Sequence, residues 1–337
     1  MPTTPTKTPP LGSKPRCCVR VGKKGRNWNI PRRFSDYRIA KPDEKAVGGA
    51  APKWLLIHKR KLPSTTDFFI AKAPGQYGEV ETYTELFINE LGTRLGFPMA
   101  PAGLVRLDGR LHFLTRSFLK PGEVLAHGRA MLEEHFQPTD IAAIRKGRSE
   151  QDFYTLDFME TILEHFCNAS FPEMRCAYFE MLVFDALVGS MDRHVENWGV
   201  ILSSTTPRTY RFAPIFDSAR SLLWNYDEQR LEKLSAAHGF NGYVNRAKPL
   251  IGIPGPLPRP SLNHFGLVQH LLERYANLIQ EPMRRVSPAT VQRTATGLLA
   301  DYPFDLVFSQ ARRKLLAKVL ATRADRLDEC RRMIHHV

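Results

Sequence analysis

The sequence predicts an α+β protein of two lobes, a small β-rich N-terminal lobe carrying one helix and a larger, mainly helical C-terminal lobe. Three observations predict it. Residues 46–118 alternate short apolar runs with turn signals and contain a single helical period. From Pro121 onward the apolar spacing is mainly helical. The 337 residues are enough for a sizeable core and show no internal repeat. The boundaries fall at 1–45 for a basic, partly disordered extension, 46–118 for the small lobe and 119–337 for the large one.

Residues 1–16 are rich in Pro, Thr and Lys and read as a disordered tail. In "AVGGAAPKWLLIHKR" the paired Gly48 and Gly49 lead into the apolar run Trp54 to Ile57. "DFFIAKA" follows after a turn at "PST", so the two runs predict a hairpin entered through a Gly-rich turn. In "ETYTELFINELGTRLGF" the residues Leu86, Phe87, Leu91 and Leu95 recur at helical spacing, and Gly96 closes the helix. "AGLVRLDGRLHFLTRSF" sets Asp108-Gly109 between two strand-like runs, a hairpin signal.

In the large lobe, helices are predicted over 151–167 and 171–189. The second opens on a capping box, Ser170 to Glu173, with Pro172 in its first turn. Its body, "MRCAYFEMLVFDALVG", is apolar nearly all round and should be buried. "NWGVIL" and "TYRFAPIF" predict two strands joined by "SSTTPR", with Asp217 directly after the second. From 261 onward the pattern is helical. Ser287-Pro288 is an N-cap pair, and "SQARRKLLAKVLATRADRLDECRRMI" is a long amphipathic helix.

Composition narrows the class. Apolar content of 43% and charged content of 24% suit a soluble globular chain. No run reaches the roughly 18 apolar residues of a membrane span, and "MPTTPTKTPPLGSKPRCC" lacks a signal-peptide core. The five cysteines are odd in number and form no C-x-x-C pair, which favours a reducing compartment. A cytoplasmic address is expected, with export as an effector left open. No Cys or His spacing fits zinc, so no structural metal is expected. Residues 1–61 hold 16 Lys or Arg against 3 Asp or Glu, +13 of the chain's net +14. Such an arm can hold nucleic acid, acidic lipid or an acidic partner; a merely solvated extension competes with that reading.

The stretch "GSMDRHVENWGV" carries Asp192, His194 and Asn197 at the spacing D-x-H-x-x-N. It follows the buried helix and precedes the hairpin that ends at Asp217. Phosphoryl transfer needs a phosphate cradle, a fixed cation with a carboxylate to hold it, an acid near the attacking hydroxyl and oxygen ligands for magnesium. Gly48 and Gly49 offer the cradle, although paired glycines often just make turns. Lys72 offers the cation, with a snorkelling surface lysine as the competing reading. Glu85 offers the carboxylate, unless it is an ordinary exposed helix glutamate. Asp192 suits the base. Asn197 and Asp217 supply oxygens that suit Mg²⁺. His194 either orients the loop, touches the transferring phosphate, or packs.

On these residues the chain resembles the HipA-like serine/threonine kinases, a bacterial family of toxin and effector type with a distant protein-kinase-like fold. The resemblance runs from about Ala46 to Leu222, and more loosely through the C-terminal helices. "AVGGAAPKWLL" is similar to the family's Gly-rich loop, usually S-x-x-G-A-x-x-K, and "FFIAKAP" to its ATP-lysine strand. "LTRSF" resembles the hinge, which implies that Arg116 to Phe118 border the adenine. "GSMDRHVENWGVI" resembles the catalytic loop and "YRFAPIFDSARSL" the metal-binding segment. The resemblance thus implies a two-lobed kinase that binds ATP and Mg²⁺ and acts on a protein substrate, with Asp192 as base and Asn197 and Asp217 as metal ligands. Two departures stand out. Ala46 replaces a serine that many members carry, which puts autophosphorylation there in doubt. Only about 45 residues precede the loop, fewer than the N-terminal subdomain of longer members, so an antitoxin partner of the usual kind is not assumed.

Two other readings stay open. Phosphoinositide kinases also use D-R-H-x-x-N, matched by Asp192-Arg193-His194, but "APIFDSARSL" lacks their D-F-G-like metal segment. A non-catalytic module with a nucleic-acid-gripping arm is the third, although every acid and amide that the chemistry needs is present.

Overall fold

In the computed structural model of the chain, described for residues 32–33, 37–39, 53–59, 68–135, 154–203, 208–235, 239–253 and 262–334, short apolar runs buried on both faces build the first sheet. Strands β1 (Arg32–Arg33), β2 (Tyr37–Ile39), β3 (Lys53–His58), β4 (Phe68–Lys72), β5 (Ala102–Leu107) and β6 (Arg110–Arg116) lie in the order β1-β5-β6-β4-β3-β2. All neighbours are antiparallel except β1 and β5. One face packs Leu56, Phe69, Ala71, Val105 and Leu114 together. The other face holds Leu104 and Phe113 in the main core beneath helix α1 (Glu79–Arg94). Lys72 pairs with Phe113 in register, so it belongs to this inner face. The predicted hairpins are found. At the β5–β6 turn Asp108 and Gly109 have φ of 47° and 75°, the left-handed pair that a two-residue hairpin needs. Gly96, at φ 85°, lies just past the end of α1 as predicted.

A second sheet sits across from the first. Its strands β7 (Glu123–His127), β8 (Gly199–Ser203) and β9 (Tyr210–Phe212) are antiparallel in that order. The sequence predicts β8 and β9 but not β7. Gly199 is required here, because an added Cβ would stand 2.4 Å from the Ala126 carbonyl oxygen on β7.

Helix α2 (Gly128–His135) follows β7, then α3 (Leu156–Cys167) and α4 (Phe171–Val188). As predicted, α4 is buried on nearly every side from Met174 onward. It packs on α7 (His264–Arg285) and α10 (Gln310–Ile334). Between these in sequence lie α5 (Glu228–Ser235), α6 (Phe240–Arg246), α8 (Pro288–Ala300) and α9 (Phe304–Val307). The capping box is not formed. Ser170 ends a 3₁₀ turn, Asn168–Ser170, that runs into α4, so its backbone is not extended and its side chain caps nothing. Gly189 ends α4 in the left-handed conformation, φ 65° and ψ 48°, and turns the chain toward Asp192. The two-lobed α+β fold expected from the sequence is the fold found. The arm 1–31, Ala46, Gly48 and Gly49 lie outside the described residues.

Candidate active site

Three elements bring charge to the cleft. Lys72 ends β4, Glu85 lies on α1 facing it, and Asp217 follows β9. The Lys72 Nζ sits 2.5 Å from Asp217 Oδ1 and 3.3 Å from Glu85 Oε2. Burial opposes the charge on Lys72, but Glu85 and Asp217 outweigh it and hold the ammonium above the usual lysine range. Burial pushes the Glu85 carboxyl up to about 7, with Lys72 pulling the other way. Burial would raise Asp217 too, but Lys72 and then Lys53, at 3.9 Å, hold it below the ordinary carboxylate range. Asp217 has a left-handed backbone, φ 52°, which aspartate tolerates better than most residues.

The segment before Asp217 is tied to the small lobe. Ile215 donates to the Pro98 carbonyl (2.7 Å), and its own carbonyl accepts from Ala100 (2.9 Å). Asn89 of α1 in turn donates to the Ala100 carbonyl at 2.8 Å. Asp217 is therefore fixed relative to α1 and β4 through backbone as well as charge.

Arg193 holds the loop side. Its guanidinium grips Asp185 of α4, Nε to Oδ2 at 2.8 Å and Nη2 to Oδ1 at 2.9 Å. Nη1 donates to the carbonyls of Asn197 and Phe216, both at 2.6 Å, and Nη2 to Ser218 Oγ at 2.9 Å. One buried side chain thus ties the D-x-H-x-x-N loop to the residues on either side of Asp217. Asn197 donates from Nδ2 to the Asp192 carbonyl at 2.7 Å, so its Oδ1 is the atom left to face a cation. The Asp192 carboxylate is partly exposed, with Arg220 Nη1 3.5 Å away. His194 turns its Nδ1 to the Glu196 backbone N–H at 3.2 Å, which makes it a loop-shaping residue here.

The segment that resembles the hinge reaches the residue before Asp217. Arg116 donates from its backbone to Pro101, and the Phe118 ring stacks on Phe216 at 5.8 Å. Of the residues singled out in sequence, Lys72, Glu85 and Asp217 meet directly. Asp192 and Asn197 join through their own hydrogen bond, and Phe118 joins through Phe216.

The model of the HipA-like C-terminal domain family matches residues 45–286. The chain belongs to that family. The serine/threonine-protein kinase CtkA of Helicobacter pylori is 36% identical over 61 residues, which is 18% of this chain and 18% of that relative. The crystal structure of the H. pylori proinflammatory kinase CtkA superposes with a TM-score of 0.70 at 16% identity, covering 91% of this chain and 99% of that one. HipA of Shewanella oneidensis MR-1, solved with HipB and operator DNA, gives 0.53 at 16% identity, covering 85% and 67%. At these identities the two structures show a shared kinase-like fold.

Four residues of this HipA-like cleft take no role from the sequence, although Arg193 is the middle residue of the D-R-H match. Asp185 and Arg193 are a buried pair, and the available signal was one acid inside an otherwise apolar helix, which demands a partner. Lys53 ends the stretch that resembles S-x-x-G-A-x-x-K. Arg220 left no signal before its exposure was seen.

Proposed function

We propose that this chain is an ATP- and Mg²⁺-dependent protein kinase that transfers the γ-phosphate to Ser or Thr hydroxyls. One observation carries the reading: Lys72 joins Glu85 to Asp217 while Arg193 joins the Asp192 loop to the same Asp217 segment. A structure built only for stability has little reason to converge buried charges from four elements on one cleft.

The donor set suits magnesium. Asp217 and the Asn197 amide offer hard oxygens. No three His, Cys, Asp or Glu converge on a metal-sized point among the described residues, so phosphate oxygens and water would complete the shell. Bound there, Mg²⁺ would neutralise phosphate charge. Lys72 and Lys53 lie where a triphosphate would exchange for the Asp217 carboxylate. Glu85 keeps Lys72 aimed once Asp217 turns away. Asp192 takes the proton of the incoming hydroxyl, and Arg193 holds the loop so that little reorganises during the step. The hinge from Arg116 to Phe118 would border the adenine, under the Gly-rich turn at Gly48 and Gly49.

The basic residues 1–61 suit recruitment of an acidic partner or nucleic acid. An ADP-release assay with a serine-rich acceptor protein tests the proposal. Release by wild type that is lost in Lys72→Met supports it; equal release by both proteins, or none by either, refutes it.

A further inference from the structure

Residues 217–223 form the segment after β9, and Arg220 is the one exposed residue within it. Ser218, Ala219, Ser221, Leu222 and Leu223 are all buried. The Arg220 backbone is pinned beside the catalytic loop, since its carbonyl accepts from the Met191 N–H at 3.1 Å. Its guanidinium lies over the Trp224 ring at 5.8 Å, and Trp224 meets Tyr77 of the small lobe edge-on at 5.2 Å. The side chain is 58% exposed, and its ion-pair partner among the described residues is Asp192, at 3.5 Å. So a cation with no burial to serve is anchored by backbone and ring at the face from which a hydroxyl must reach Asp192.

A second arginine faces the same side. Arg246 donates to the Tyr226 hydroxyl at 2.9 Å and lines a cavity of about 40 Å³ together with Met191, Leu222 and Asn225. The acids of that segment are engaged elsewhere. Asp227 pairs with Arg230 at 4.0 Å, and Glu228 with Arg312 at 3.7 Å. The rim around Asp192 is left with a positive bias.

We infer that Arg220 determines specificity, recognising an Asp or Glu side chain of the protein substrate next to the acceptor hydroxyl. The inference rests on the kinase reading and names the substrate class for it. An exposed pair at 3.5 Å is weak, so a substrate carboxylate can draw Arg220 from Asp192 at small cost. Asp192 is then left without its ion-pair partner and open to the incoming hydroxyl. The hydroxyl oxygen bonds to the γ-phosphorus as the bond to the β–γ bridging oxygen breaks. ADP leaves with that electron pair, and the hydroxyl proton passes to Asp192. Arg220 touches none of these atoms; it sorts which acceptor arrives.

The test uses three matched serine peptides carrying Glu, Gln or Lys beside the acceptor, with kcat/KM measured for wild type, Arg220→Ala and Arg220→Glu. Wild type is expected to favour the Glu peptide over the Gln peptide about fivefold, the scale of one exposed ion pair. Arg220→Ala should bring that ratio to about one, and Arg220→Glu should turn the preference toward Lys. Indifference in wild type, or a Glu preference that survives Arg220→Ala, overturns the inference. Failure of the kinase reading looks different: wild type then labels none of the peptides and no acceptor protein, and both readings fall.

Discussion

Arg193 and Asp185 form a two-pronged ion pair in the interior, with side chains only 3% and 1% exposed. Burial opposes the Arg193 charge, and Asp185 more than restores it. The pair spans the end of α4 and the turn at Gly189, so the buried helix holds the D-x-H-x-x-N loop in place.

Removing one partner leaves the other charge buried alone. Asp185→Ala is expected to cost about 3–5 kcal/mol in urea denaturation. Asp185→Leu combined with Arg193→Met should recover much of that stability. It should not recover phosphate transfer, because the carbonyls of Asn197 and Phe216 lose their shared donor.

His264 tests a second support of the loop. It is buried, donates from Nε2 to the Ser190 carbonyl at 2.7 Å, and has no partner at Nδ1 among the described residues. Burial, and then Arg323, push its pKa down to about 3 from the usual 6.5. The unfolded chain therefore takes up a proton below 6.5 that the folded chain refuses until about 3. Stability from this group is present above 6.5 and is lost as pH falls. Denaturation at pH 7 and pH 5 should show His264→Gln losing about 2 kcal/mol less than wild type over that interval.

The C-terminal helix reaches the site from beyond the family-matched residues. Arg323 of α10, 2% exposed, donates to the carbonyls of Ala186 and Leu187 at the end of α4 and to that of Val244. Arg323→Met should cost about 2–4 kcal/mol. Amide hydrogen exchange at 186–192 should quicken more than exchange in the first sheet.

Most of the fold was legible because periodicity reports burial directly. Leu86, Phe87 and Leu91 all lie in the core beneath the sheet, and Asp108-Gly109 makes the turn its chemistry requires. Ser170 misled because S-x-x-E also fits a chain already helical before the serine. Strand β7 was missed because it gains its place only by pairing with β8 far along the sequence, Glu123 against Ser203 at one end and His127 against Gly199 at the other.

The candidate site was legible where one residue type carries the chemistry. Lys72, Glu85, Asp192, Asn197 and Asp217 each stood out by type and spacing. The residues that hold them did not. Arg193 works through bonds to two carbonyls, which any sequence supplies, and Arg220 is set apart only by the burial of its neighbours.

The most direct measurement is transfer of label from γ-labelled ATP with Mg²⁺ to a serine-rich acceptor protein, comparing wild type with Asp192→Ala. Labelled acceptor is expected from wild type, falling about 10²–10⁴-fold in the variant while ATP still binds. Equal labelling by the variant, or none by wild type, would contradict a catalytic role for this loop.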